Sequence, residues 1–318
     1  MIIPGTKSLI RSGIKTIYTF MAAAVLLATA CSEPERKPET AAANEATYVA
    51  EIDQWQQERE ASLKAADGWL TLAGLFWLEE GENTFGSSKE NDIVFPEGKI
   101  PAQAGIITLK NGIVSTTIAD GVEVKLNDQP VQQATLYTSD QDTVPQLTHG
   151  TLTWFAIRRG DKYGIRLRDS QNEALTHFKG IDRYQATLDW KVEATLEPHP
   201  TPKQISITNI VGQTSQENSP GTLVFTVEGK QHRLDALEEG DKLFIIFADK
   251  TNGIDTYGAG RYLYADKPGA DGKVILDFNK AYNPPCAFVT YATCPLPPRQ
   301  NFLSIPVPAG EKAYEVGH

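Results

Sequence analysis

From Gly68 onward the chain is a succession of short runs rich in Val, Ile, Thr, Leu, Phe and Tyr, each cut by Gly, Asn, Asp or Pro. "NGIV", "ADGVEV", "LNDQP" and "RRGDKYGIRLRD" are examples. Runs recurring at about 8–12 residues are the pattern of antiparallel sandwiches and barrels, not of units joined by crossover helices. One helix is written ahead of them. In "YVAEIDQWQQEREASLKAADG", Ile52, Trp55, Arg59 and Leu63 recur at helical spacing, and Asp67-Gly68 stops the pattern. Its apolar stripe is narrow, so it is expected to lie on the outside of another body. In "GWLTLAGLFWLEEGENTFGS", Trp69, Leu72, Leu75, Phe76 and Trp77 are read as core. The expected fold is mainly β: a sandwich, then a second β-rich barrel or sandwich half, with one N-terminal amphipathic helix.

The ends and the prolines divide the chain. Lys7, Arg11 and Lys15 precede the apolar run "TIYTFMAAAVLLATA", which ends at Cys31. A basic front, a short apolar run and small residues before a cut read as a secretory signal over 1–30. "LATAC" resembles a bacterial lipobox, which implies lipidation of Cys31, and Ser32 after it implies the outer membrane, facing the periplasm. Residues 31–47, "CSEPERKPETAAANEAT", hold almost no large apolar residue and read as a flexible tether. The helix is then expected over 48–68. Three prolines in "LEPHPTPKQ" suggest a seam between a sandwich-like half at 69–198 and a β-rich half at 199–318.

The net charge is −10, and removal of the signal would take three bases and no acid. So acidic a chain is a poor general binder of nucleic acid, where Lys and Arg must neutralise phosphate. It lacks a basic patch for anionic lipid, so its expected membrane partner is reached through the acyl chains on Cys31. His149, His177, His199, His232 and His318 form no H-x-H or H-E-x-x-H pair, which disfavours a histidine-built metal site. There is no G-x-S-x-G elbow and no phosphate loop. No cofactor is implied.

One stretch is harder to explain as packing. "AYNPPCAFVTYATCPLPPRQN" (281–301) concentrates prolines, tyrosines and both remaining cysteines. In an exported chain Cys286 and Cys294 are read as a disulfide, which would remove about 2–3 kcal/mol of unfolded-state entropy. A pair of buried thiols, or a metal-binding or catalytic pair, are the alternatives; two thiols alone are too few ligands for structural zinc. The loop either seals one end of a barrel or joins "DTYGAGRYLY" in lining a pocket. In the second case Arg261 offers a cationic fork to a carboxylate or phosphate, and Gly258 and Gly260 allow close approach. Tyr257, Tyr282 and Tyr291 offer stacking faces, with Asn279 and Asn283 beside them. The plainer reading of Arg261 is an ion pair with Asp266.

Residues 69–170, with "GENTFGSSKENDIVFP" and "AGIITLKNGIVSTTIADGVEVKLNDQPV", resemble the strand order of forkhead-associated domains. Those domains are β-sandwiches that read phosphothreonine. The phosphate-binding arginine of that family is Ser87 here, and its Ser-x-x-His pattern is "AQAG" (102–105), so the resemblance implies fold only. Most of 65–315 resembles the domain of unknown function 1684, through "RRGDKYGIRLRD", "HFKGID", "DTYGAGRYLYAD", "LDFNKAYNPPCAFVTYATCPLPP" and "PAGEK". That resemblance brings no reaction with it.

No nucleophile–base pair is legible. The expectation is therefore an envelope lipoprotein binding a small or extended ligand, small-molecule or glycan-like and anionic where Arg261 anchors it, without chemistry. The alternative is a periplasmic hydrolase-like enzyme with Asp249, Asp255 or Asp277 as carboxylate base and Arg261 as anion anchor.

Overall fold

A long helix, three sheets and an irregular C-terminal segment make up the computed structural model, which describes residues 39–314. Helix α1 (Glu39–Lys64) comes first. The strands that follow are β1 (Leu72–Trp77), β2 (Gly81–Gly86), β3 (Ile93–Val94), β4 (Gly105–Lys110), β5 (Ile113–Ile118) and β6 (Lys125–Leu126). Next are β7 (Gln129–Pro130), β8 (Gln133–Tyr137), β9 (Leu147–His149), β10 (Leu152–Arg159) and β11 (Lys162–Asp169). After a short α2 (Glu173–His177) come β12 (Lys191–Thr208), β13 (Thr214–Val227), β14 (Lys230–Glu239), β15 (Lys242–Phe247), β16 (Arg261–Asp266) and β17 (Lys273–Asp277).

The chain is mainly β, as its turn-punctuated texture predicts. One sheet orders as β3-β2-β4-β5-β8, and a second as β1-β11-β10-β9-β6-β7. Their apolar faces share a core in which Phe85, Phe95 and Trp154 pack ring against ring, with Ile165 and Leu167 beside them. The third sheet, β16-β15-β14-β13-β12-β17, curls until its two edge strands approach, giving a nearly closed barrel. Phe225, Phe247 and Phe278 fill it. A further apolar layer joins α1, the barrel's outer face and the loop after β17, through Leu63, Leu72, Ile246, Tyr262 and Phe288.

The structure moves two expected boundaries. The helix begins at Glu39, not at Tyr48, and ends at Lys64, so it takes in part of the stretch read as tether. Alanine is the best helix former, and "ETAAANEAT" supplies it without the large apolar residues that a core pattern needs. Residues 31–38, and Cys31 with its signal, lie outside the described residues. The helix packs by Tyr48, Ile52, Gln56 and Leu63, all buried on one side. Tyr48 Oη donates to Asp277 Oδ1 over 2.6 Å, fixing the helix to the end of β17. Among the described residues no helix is long and apolar enough to cross a membrane.

The second correction concerns the seam. Pro198, Pro200 and Pro202 lie inside β12, around a register irregularity between Pro198 and Lys203. Strand β17 covers β12 only from Lys191 to Thr195, so the rest of β12 is an edge on that side. An edge tolerates residues that cannot donate a ladder hydrogen bond. The two halves meet before Lys191 instead, where β11 ends and the barrel has not begun.

Candidate functional site

The alternation in β11 sets up the site. Ile165 and Leu167 point into the sandwich core, so Arg166 and Arg168 project from the opposite face. That face looks across a cleft of about 1060 Å³ toward α1, the outer face of the barrel and the loop at 285–295.

The two arginines meet different fates. Arg168 Nη1 donates to Gly68 O over 2.7 Å and to Thr71 Oγ1 over 3.0 Å, so it holds the start of β1. Arg166 is only 6% exposed, yet its Nε and Nη2 have no hydrogen-bond partner. Among the described residues no carboxylate lies within ion-pair reach of it. The guanidinium lies 5.5 Å from the ring centroid of Trp69, which lines the cleft and is only partly the core residue expected. Burial first, and then repulsion from Arg159 and Arg168, push the Arg166 guanidinium down to about 10. It therefore stays charged at neutral pH. Nε and Nη2 together form the side-on edge of a guanidinium, which offers two parallel donors to a carboxylate or phosphate.

The wall opposite is aromatic. Phe244 stacks on Tyr264 at 4.9 Å, and Tyr264 on Tyr282 at 6.2 Å. Arg59 caps this ladder, 4.8 Å from the Tyr282 centroid. Its own charge is engaged: Nη2 donates to Asn283 O over 3.0 Å, and Nε lies 3.4 Å from Glu311 Oε1. Burial pushes the Glu311 carboxyl up, while Arg59 pulls the other way. Tyr262 Oη donates to Pro295 O over 2.8 Å, tying the loop to the barrel. The Cys286–Cys294 disulfide, with Cα atoms 6.1 Å apart, closes that loop, and Cys294 lines the cleft.

The pocket expected around Arg261 is not what surrounds it. Arg261 is fully buried, ion-paired with Asp249 over 2.9 Å, and donates to the backbone carbonyls of Val307, Ala309 and Glu311. Asp266 pairs instead with Lys242, its neighbour across the sheet. Gly260 sits at φ +95°, where an added Cβ would fall 2.4 Å from Pro297 Cγ, so its space is taken by the chain and not left for a ligand. Gly258 lies on the same turn, away from the cleft lining. Asn279 is spent on Tyr48, Thr187 and Asp277. Asn283 donates from Nδ2 to Lys312 O and from its backbone N–H to Glu311 Oε2. Asp255 accepts from Tyr184 Oη, and Asp277 from Tyr48. Tyr257 is half-buried among apolar side chains and Tyr291 is exposed. Of the expected site residues only Tyr282 and Cys294 line the cleft. Among the described residues no group of three His, Cys, Asp or Glu side chains could hold a metal ion.

Arg166 stood in a phrase read for its turn and for its family resemblance, not for a site. The signal was present in "GIRLRD", where apolar residues alternate with arginines and place two cations on the face away from a core.

The chain matches the family described as "Protein of unknown function (DUF1684)" over residues 176–312, a narrower span than 65–315. Among curated proteins none matches. A solution NMR structure of an uncharacterised Haloarcula marismortui protein is similar at 35% identity, covering 43% of this chain and 78% of that one, with a TM-score of 0.37. Two forkhead-associated domain structures are also similar, each at 15% identity, 30% of this chain and a TM-score of 0.21. One comes from work on phosphothreonine-dependent interactions and is covered over 92% of its length. The other is an FhaA domain in complex, covered over 97%. On the matched segment and the 35% identity, the chain belongs to the DUF1684 family.

Proposed function

We propose that this protein is a lipid-anchored binding protein of the cell envelope that takes a small anionic ligand at Arg166, without chemistry of its own. The observation that carries the binding part is the unpartnered Nε–Nη2 edge of a nearly buried guanidinium lining a large cleft. Burying an unpaired charge costs several kcal/mol, and an anion with two parallel acceptors would offset that cost on binding. The hydrolase alternative loses support. Asp249, Asp255 and Asp277 are each engaged by other side chains and none lines the cleft. The envelope part rests on the basic front, the apolar run and "LATAC".

The test of binding is thermal denaturation with acetate, benzoate and inorganic phosphate, for wild type and Arg166→Gln. At least one anion is expected to raise the melting temperature of the wild type and to leave the variant unmoved. Equal responses would refute the assignment. The anchor is tested by labelled palmitate, which should be incorporated into the wild type and not into Cys31→Ser. Labelling of both proteins would contradict it.

A further inference from the structure

We infer that the ligand at Arg166 is a monoanionic carboxylate carrying a flat aromatic ring, a class this cleft selects over both bare anions and polyanions. The inference rests on the anion-binding reading and adds to it what the rest of the cleft would recognise.

The head group follows from the free edge. Nε and Nη2 present two N–H bonds side by side in one plane, which match the two oxygens of a carboxylate. The body follows from the walls. Trp55 and Trp69 line the cleft, with the stacked Phe244, Tyr264 and Tyr282 across from Arg166. Trp55 is the informative one. It is half-buried, belongs to none of the hydrophobic cores, and among the described residues contacts no other aromatic ring. A tryptophan on a helix that packs into no core, beside a cleft with a free cation, has a face to give to a flat partner.

The charge limit follows from the carboxylates. Glu58, Glu217, Glu238 and Glu239 also line the cleft, against Arg59, Arg158, Arg159 and Arg166. Arg59 already faces Glu311, Arg158 is turned to Gly160 O and the ring of Tyr163, and Arg159 Nη1 donates to Arg158 O, which leaves Arg166 as the cation with a buried free edge. One anionic head is therefore matched, and a polyphosphate would meet like charge beyond it. The volume of about 1060 Å³ is at the upper end for a small-molecule site and leaves room for more than one ring.

The experiment is calorimetric titration of the full-length protein with 1-naphthoate, acetate, galacturonate and pyrophosphate, repeated with Trp55→Ala and Arg166→Gln. Naphthoate is expected to bind at least about tenfold more tightly than acetate, galacturonate or pyrophosphate, and to quench tryptophan fluorescence. Trp55→Ala should lose about tenfold in naphthoate affinity and leave acetate unchanged, because only the ring would touch it. Arg166→Gln should lose both. If acetate or galacturonate binds as well as naphthoate while Arg166→Gln still abolishes binding, the anion site stands and the aromatic class is overturned. If no anion binds the wild type, both fall.

Discussion

Arg261 and Asp249 form an ion pair in which neither side chain is exposed, Nη2 donating to Oδ2 over 2.9 Å. The same guanidinium holds three carbonyls of the segment Val307–Glu311 and lies 5.4 Å from the Phe247 centroid. It closes the end of the chain onto β16. A cation so surrounded has its charge balanced by the fold, and although its Nε has no partner, Arg261 does not line the cleft.

Arg261→Lys should therefore cost about 3 kcal/mol of stability, because one ammonium cannot reach all of these acceptors and leaves buried groups unpaired. Urea denaturation checks it. A loss below about 1 kcal/mol would mean that the pair contributes little more than a surface bridge.

Cleavage of the Cys286–Cys294 disulfide should cost about 2–3 kcal/mol, since it closes a short loop that also forms one wall of the cleft. Thiol titration of the denatured, unreduced protein should find neither cysteine free. Two titratable thiols, or a Cys286→Ser/Cys294→Ser variant as stable as the wild type, would contradict this.

What the sequence made legible was periodic. Alternation and turn residues announced the sheets, and the spacing of Ile52 and Leu63 announced the buried side of α1. What it hid was long-range. Arg261 could be seen as a fork, but Asp249 and the carbonyls of Val307–Glu311 reach it only through the fold. Asp266, the nearer acid, pairs with Lys242 because strand register sets them opposite one another. The prolines of β12 imitated a linker, since local geometry cannot tell an edge strand from a connection. Arg166 was passed over because an arginine alternating with apolar residues reads first as an exposed face. Only the fold, which sets the Trp69 ring beside it at the wall of the cleft, buries it.

Acid should weaken the fold through Asp235. Burial pushes this carboxyl up, but hydrogen bonds from Thr222 and Lys203, at 2.5 and 2.9 Å, outweigh burial and hold it below its ordinary 3.8. A depressed folded value stabilises above the unfolded value and is lost as pH falls through the folded one. Glu311 has the opposite sign, stabilising below its ordinary 4.5 and losing that contribution as pH rises, but it is common to both proteins compared. Asp235→Asn should be about 1–2 kcal/mol less stable than wild type at pH 7, with the gap closing below pH 4. Parallel stability curves down to pH 3 would refute this.

Arg166→Met should be at least as stable as the wild type without ligand, and up to about 2 kcal/mol more so, because it removes a buried charge that no partner compensates. Denaturant unfolding of the ligand-free proteins measures it. A loss of more than about 1 kcal/mol would assign Arg166 to the fold, through its contact with Trp69.

The most direct measurement of the central claim is a crystal structure grown with an anion that raises the melting temperature. The account predicts two of its oxygens within about 3.2 Å of Arg166 Nε and Nη2, one to each, with the body of the molecule in the cleft beneath Trp55 and Tyr264. An anion bound elsewhere, with the Nε–Nη2 edge left as it is or closed by a carboxylate of the chain itself, would contradict it.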